Sequence, residues 1–226
     1  KYSWMWKRAP SYFDVCCYTG TGTAGLTVNH NLGVAPEMTW VKRRDSATNW
    51  RVNVAALGTN GQDSPVLRLN LSNASEDDNG SYFGNNNSGG YAAPTSSVLT
   101  LGGHGDVNAS GGTYIAYLFA TVAGVSKVGS FTTDGSTKNI DCGFSNGARF
   151  VLLKRSSGVE DWTLFDSVRG ITTGTSDPLL ILNGTDAEYT ENAFYGGNVI
   201  EPHSSGFTIK NYFATNGRTY IFYAIA

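Results

Sequence analysis

Laying Val41-Lys42-Arg43 over Leu153-Lys154-Arg155 brings Trp50 onto Trp162 and Gly58 onto Gly170 without a gap, at a constant offset of 112. Leu69-Asn70 then meets Leu182-Asn183, with Ala74 over Ala187. Ser96-Ser97 and Thr100-Leu101 meet Ser204-Ser205 and Thr208-Ile209 at offset 108, and Gly111, Thr113, Tyr114 and Ile115 meet Gly217, Thr219, Tyr220 and Ile221 at offset 106. The offset drifts only where loops absorb small insertions. Such self-similarity makes the chain a tandem duplication, and each copy has to fold as one unit.

The element type follows from the pattern inside each copy. Alternating or apolar runs bounded by turn residues predict strands near 12–18, 25–29, 36–43, 48–54, 66–71, 97–102 and 112–121. The second copy predicts them near 126–132, 138–142, 148–155, 161–166, 178–183, 205–210 and 218–226. Helical periodicity is confined to one turn each at 73–77 and 185–188. That density of short strands is expected of a β-sandwich, so the fold class is all-β with two tandem sandwich-type repeats, 12–124 and 125–226. Trp50 and Trp162, at the same place in each copy, are expected to anchor the two cores. Lys1-Tyr2-Ser3-Trp4-Met5-Trp6 resembles the closing runs at 113–118 and 219–224. Residues 1–11 therefore read as the last strand of a preceding repeat plus a linker, with Tyr2, Trp4 and Trp6 expected at a sheet edge. The chain is thus expected to be a piece of a longer polypeptide.

Composition narrows the function classes. The 16 basic and 18 acidic residues give a net charge of −2, and no basic stripe appears, so nucleic acid is not an expected partner. No apolar run approaches the roughly 18 residues of a membrane span, and no membrane insertion is expected. Charged residues are only 15% of the chain, yet 11 Phe and 12 Tyr supply apolar bulk for a core, which excludes disorder. Cys16, Cys17 and Cys142 form neither a disulfide framework nor a zinc spacing. Six Asn-x-Ser/Thr sequons, at Asn70, Asn73, Asn79, Asn86, Asn108 and Asn183, read as chance products of an Asn-, Ser- and Thr-rich chain.

Several local motifs imitate chemistry. Gly20-Thr21-Gly22-Thr23-Ala24-Gly25 fits a dinucleotide fingerprint, but a strand pattern follows where a helix is required, and a hairpin turn is the better reading. Gly143-Phe144-Ser145-Asn146-Gly147 fits a nucleophile elbow without the helix such an elbow needs. Glu76-Asp77-Asp78-Asn79-Gly80 lacks the alternating ligands of a calcium loop and reads as a solvated turn. His30, His104 and His203 are not at metal-ligand spacing. Glu160, Asp161 and Glu188 stand in no recognisable frame for a glycosidase pair. Lys42-Arg43-Arg44 and Lys154-Arg155 recur at the same strand end, which points to a structural partner, an inter-repeat contact among the options. No cofactor is expected.

The copies differ in their long loops, where function is grafted. Tyr82, Asn86 and Tyr91 in the first and Tyr195 and Tyr212 in the second are the candidate ligand or receptor residues. Aromatic rings beside Asn and Gly suit sugar faces, against the simpler reading that the loops pack their own rings.

Tyr18-Thr19-Gly20-Thr21-Gly22, followed by Asn31-Leu32-Gly33-Val34-Ala35-Pro36-Glu37-Met38-Thr39-Trp40-Val41-Lys42-Arg43, resembles a repeat found in tail fibres and related virion appendages of tailed phages, particularly marine ones. The 143–155 run is its second copy, with Gly147-Ala148-Arg149 where that family usually has a proline, and 108–116 fits its closing strand. The resemblance implies a non-enzymatic virion module. Its partners would be other virion proteins or copies of itself, with a host-surface glycan among the expected contacts. It would reside in the virion and become extracellular on release. A carbohydrate-binding module of a secreted bacterial protein and a polysaccharide depolymerase with unidentified acids are the two alternatives.

Overall fold

The computed structural model describes residues 7–58, 64–84, 90–174 and 176–226, so Tyr2, Trp4, Trp6 and Asn86 lie outside the described residues. The first copy forms β1 (Phe13–Thr19), β2 (Leu26–Asn29), β3 (Met38–Arg43), β4 (Arg51–Val54), β5 (Pro65–Arg68), β6 (Glu76–Asp77), β7 (Val98–Leu101), a helical turn α1 (Gly105–Asn108) and β8 (Thr113–Phe119). The second forms β9 (Ser126–Thr132), β10 (Lys138–Asp141), β11 (Phe150–Arg155), β12 (Thr163–Asp166), β13 (Pro178–Ile181), β14 (Tyr189–Thr190), α2 (Glu191–Tyr195), β15 (Ile200–His203), β16 (Gly206–Ile209) and β17 (Thr219–Ile225). The fold is all-β.

Strand order repeats from copy to copy. A six-stranded sheet runs β1-β8-β3-β4-β5-β6 in the first, and β9-β17-β11-β12-β13-β14 in the second. Opposite it lie β2-β7 in the first copy and β10-β16-β15 in the second. Every pairing among the described residues is antiparallel, and the registers reproduce the sequence offsets. Thr19 faces Thr113 as Thr132 faces Thr219, and Leu26 faces Leu101 as Lys138 faces Ile209. The sheets stack by period-two alternation. In β8, Tyr114, Ala116 and Leu118 meet Val28, Leu99 and Leu101 of the smaller sheet. In β17, Tyr220, Phe222 and Ala224 meet Ile140, Phe207 and Ile209.

Three features depart from the sequence expectation. The additional strand β15 contains Pro202, which has no N–H to donate and is tolerated because β15 pairs on one side only. The single helical turns expected at 73–77 and 185–188 do not form. Glu76–Asp77 is a short edge strand, and the turn instead falls at Glu191–Tyr195, where the Thr190 hydroxyl caps the Ala193 N–H and Gly196 ends it at φ 77°. Finally, the 20–25 loop is not a hairpin. It carries the chain from β1 in one sheet to β2 in the other.

The chain divides into two compact units, Lys1–Arg68 with Glu76–Thr121, and Leu69–Ser75 with Val122–Ala226. Leu69–Ser75 belongs to the first copy by sequence but is built into the second unit. There Ser72 O accepts from Glu160 N at 2.8 Å, and Ser75 N donates to Ser156 O at 2.9 Å. These residues cannot wind into the expected helical turn while their backbone groups bond the hairpin loop after β11.

Trp162 is fully buried, but Trp50 is only half-buried and stacks on Tyr117 with ring centroids 6.0 Å apart. The core-anchor role therefore belongs to Trp162. The loop beside Trp162 carries the 69–75 strap, and the corresponding 44–48 loop beside Trp50 has no such cover among the described residues.

Candidate functional site

In the second copy, α2 and the 3-10 turn Asn211–Ala214 bring two of the candidate tyrosines together. The Tyr195 and Tyr212 rings lie 4.8 Å apart at 34°, and Tyr195 also meets Phe213 at 4.7 Å and Phe194 at 4.8 Å. The Arg218 guanidinium sits 4.4 Å from the Tyr212 ring centroid. Tyr195 Oη shares a hydrogen bond with Thr163 Oγ1 at 2.5 Å, and burial pushes its phenol well above the usual range. These rings pack against the core and against one another, which is the simpler of the two readings of these loops.

Beneath them lies a polar cluster. Glu160 is buried, and its Oε2 accepts from the Tyr220 hydroxyl at 3.2 Å while Arg218 Nη1 stands 3.8 Å away. Burial raises the Glu160 carboxyl to about 7, against the pull of the Tyr220 bond and the Arg218 charge. Lys154, only 1% exposed, donates through Nζ to the carbonyls of Ser72 (3.1 Å), Arg155 (2.8 Å) and Glu160 (2.7 Å). Burial lowers its ammonium to about 8. Lys42, its counterpart, bonds Arg43 O at 2.7 Å and Ser46 O at 3.4 Å. The recurring strand-end lysine thus ties down the hairpin loop through backbone carbonyls.

In the first copy, Tyr82 occupies the position of Tyr195, at the offset of 113 that also relates Asp78 to Glu191. Arg51 lies 3.9 Å over the Tyr82 ring and bonds Glu76 Oε1 at 2.5 Å and Asp106 Oδ2 at 2.8 Å. His104 packs on the same ring at 4.5 Å, and its Nδ1 accepts from Asp106 N. Tyr91 is half-buried, its hydroxyl 3.4 Å from Asn53 Oδ1, and it is not part of the Tyr82 cluster. The ring faces of Tyr82, Tyr195 and Tyr212 that would stack on a sugar are in contact with neighbours from the same chain.

The 76–80 run is not solvated throughout, since Asp77 and Asn79 are exposed but Glu76 and Asp78 are engaged. Glu76 bridges Arg51 and Arg68, and Asp78 is buried, its carboxylate accepting from Tyr82 N at 2.5 Å and Phe83 N at 2.7 Å. Glu191 does the same work in the second copy, accepting from Asp177 N, Val199 N and Ile200 N. Sequence reading passed over this pair, although carrying the 113 offset through 78 and 191 would have exposed it. Arg51 carried no signal, because its counterpart is Thr163.

The motif-like loops resolve equally locally. The amides of the 20–25 loop face Asn108, whose Oδ1 accepts from Thr21 N at 2.7 Å and whose Nδ2 donates to Thr23 O and Gly102 O. With its amide fully buried and bonded, Asn108 has no room for a glycan. Gly147, at φ 79°, closes the 143–147 turn by donating to Ser204 O, and no helix follows. Among the described residues, no three His, Cys, Asp or Glu side chains are grouped to hold a metal ion. Among the described residues, no helix is long and apolar enough to cross a membrane. Cys17 is exposed, while burial pushes the Cys16 thiol to about 11 and the Cys142 thiol to about 12.

No curated protein and no solved structure matches this chain. A family model, described as a domain of unknown function, spans residues 5–226 and so takes in both copies together. The chain belongs to that family, DUF7483.

Proposed function

We propose that this chain is a structural segment of a phage virion appendage, a pair of β-sandwich modules that builds a tail fibre or similar part and contributes to contact with the host surface. The observation that carries this reading is the engagement of its polar and aromatic side chains by the modules themselves. A glycosidase needs two carboxyls facing one scissile bond. Here Glu160 bonds Tyr220 in the interior, Asp161 accepts from Asn183 Nδ2 at 2.7 Å, and Glu188 pairs with Arg169 at 3.0 Å. Side chains so placed support a module whose task is shape, as the likeness of its two motif runs to appendage repeats suggests.

Antibodies raised against the purified chain test the proposal on particles released by cells that carry the gene. Labelling of the tail or its appendages in electron micrographs is the expected result. Antigen found only in the particle-free supernatant would contradict it and favour a secreted binding module.

A further inference from the structure

The strap 69–75 has a second copy, 182–188, and the hairpin loop it grips has a second copy, 44–48. Arg68 and Ile181 hold matching places in the registers, so Ser72 and Ser75 correspond to Thr185 and Glu188. Arg44 N donates to Thr113 O as Ser156 N donates to Thr219 O, which matches Arg44 to Ser156. The same offset of 112 matches Thr48 to Glu160.

Burial differs between the two places among the described residues. Where the strap is seated, Ser72 and Ser75 are half-buried and Lys154, Ser156 and Glu160 are buried. At the second copies, residues 184–188 are exposed, Arg44 is exposed, and Lys42 and Thr48 are half-buried. Thr48 Oγ1 is a buried atom without a hydrogen-bond partner among the described residues. Charge also changes in step. Ser75 and Ser156 are uncharged partners, whereas Glu188 and Arg44 at the matching places carry opposite charges, with Asp186 on the strap and Lys42 on the loop adding to the attraction. The loop's own acid, Asp45, is paired with Arg43, and Glu188 would share its charge with Arg169.

From this we infer that the 44–48 loop is a docking site for the 185–188 segment of a second copy of this chain, seated as 72–75 is seated on 156–160. Donor and acceptor surfaces differ, so the contact is heterologous and propagates head to tail. It rests on the duplicated fold alone and does not depend on the virion reading.

Cysteine trapping tests it on the full chain carrying Cys17→Ser, since the two remaining thiols are held protonated by burial. Ser75→Cys with Ser156→Cys should close within one chain under mild oxidation. Arg44→Cys with Glu188→Cys should instead link chains into a ladder, about tenfold faster than Arg44→Cys with the exposed Asn146→Cys, because seating raises the effective concentration of the thiols. Thr48→Cys with Thr185→Cys, matched to Glu160 and Ser72, gives the same ladder without touching the Glu188–Arg169 pair. Ladders from these pairs that grow no faster than the Asn146 control overturn the docking. Failure of the Ser75 and Ser156 pair to close overturns the template on which it is built.

Discussion

Lys154 Nζ donates to the backbone carbonyl of Glu160 at 2.7 Å and not to its carboxylate, which takes the Tyr220 hydroxyl instead. The buried cation is therefore a clamp on three loop carbonyls. Lys154→Met should keep the packing of the stem but leave those carbonyls without a donor, at a cost of about 3 kcal/mol. Urea unfolding, followed on the transition of the second unit, measures it.

The Glu160 carboxyl gives that cluster a pH signature. The folded chain keeps its proton up to about 7, and the unfolded chain releases it near the ordinary 4.5. The folded state thus binds more protons between these values, and its stability falls as pH rises through that window. Glu160→Gln, which is always neutral, should lack this decline. The difference in urea midpoint between variant and native chain should grow in favour of the variant from pH 4.5 to 7 and then level off.

The two tryptophans should respond unequally. Trp162→Ala empties a fully buried site and should cost about 3–5 kcal/mol. Trp50→Ala removes a half-buried ring stacked on Tyr117 and should cost less than half as much. Equal losses in chemical denaturation would contradict the burial difference between them.

Asp78 and Glu191 act as buried acceptors for loop amides, so alanine at either position leaves those amides unsatisfied and should cost about 2–3 kcal/mol. With Asp78 on backbone N–H groups and Glu76 between two arginines, the 76–80 run should bind no calcium. Millimolar calcium and a chelator should give the same melting temperature. A calcium-dependent rise that Asp78→Asn abolishes would contradict this assignment.

Most of the fold was legible because the duplication supplies an internal comparison. Tyr114 and Tyr220, or Lys42 and Lys154, mark the same strand twice, and two matching weak patterns constrain the register more than one. What stayed hidden depends on contacts distant in sequence. No periodicity marks Ser72 and Ser75 as partners of Glu160 and Ser156, and none marks Trp50 as the less buried of the two matched tryptophans. The candidate tyrosines were identifiable by residue type. Their engagement by Arg51, Arg218 and neighbouring rings is a matter of packing that composition does not report.

Cross-strand nuclear Overhauser effects in solution test the duplicated sandwich most directly. The registers place Val15 and Trp40 on either side of Tyr117, and Val128 and Leu152 on either side of Tyr223. Backbone contacts are expected for all four pairs, with β8 and β17 each central between the same two neighbours. Contacts from Tyr223 to any other strand, or a register in which Tyr117 and Tyr223 face unlike positions, would contradict the duplicated sandwich.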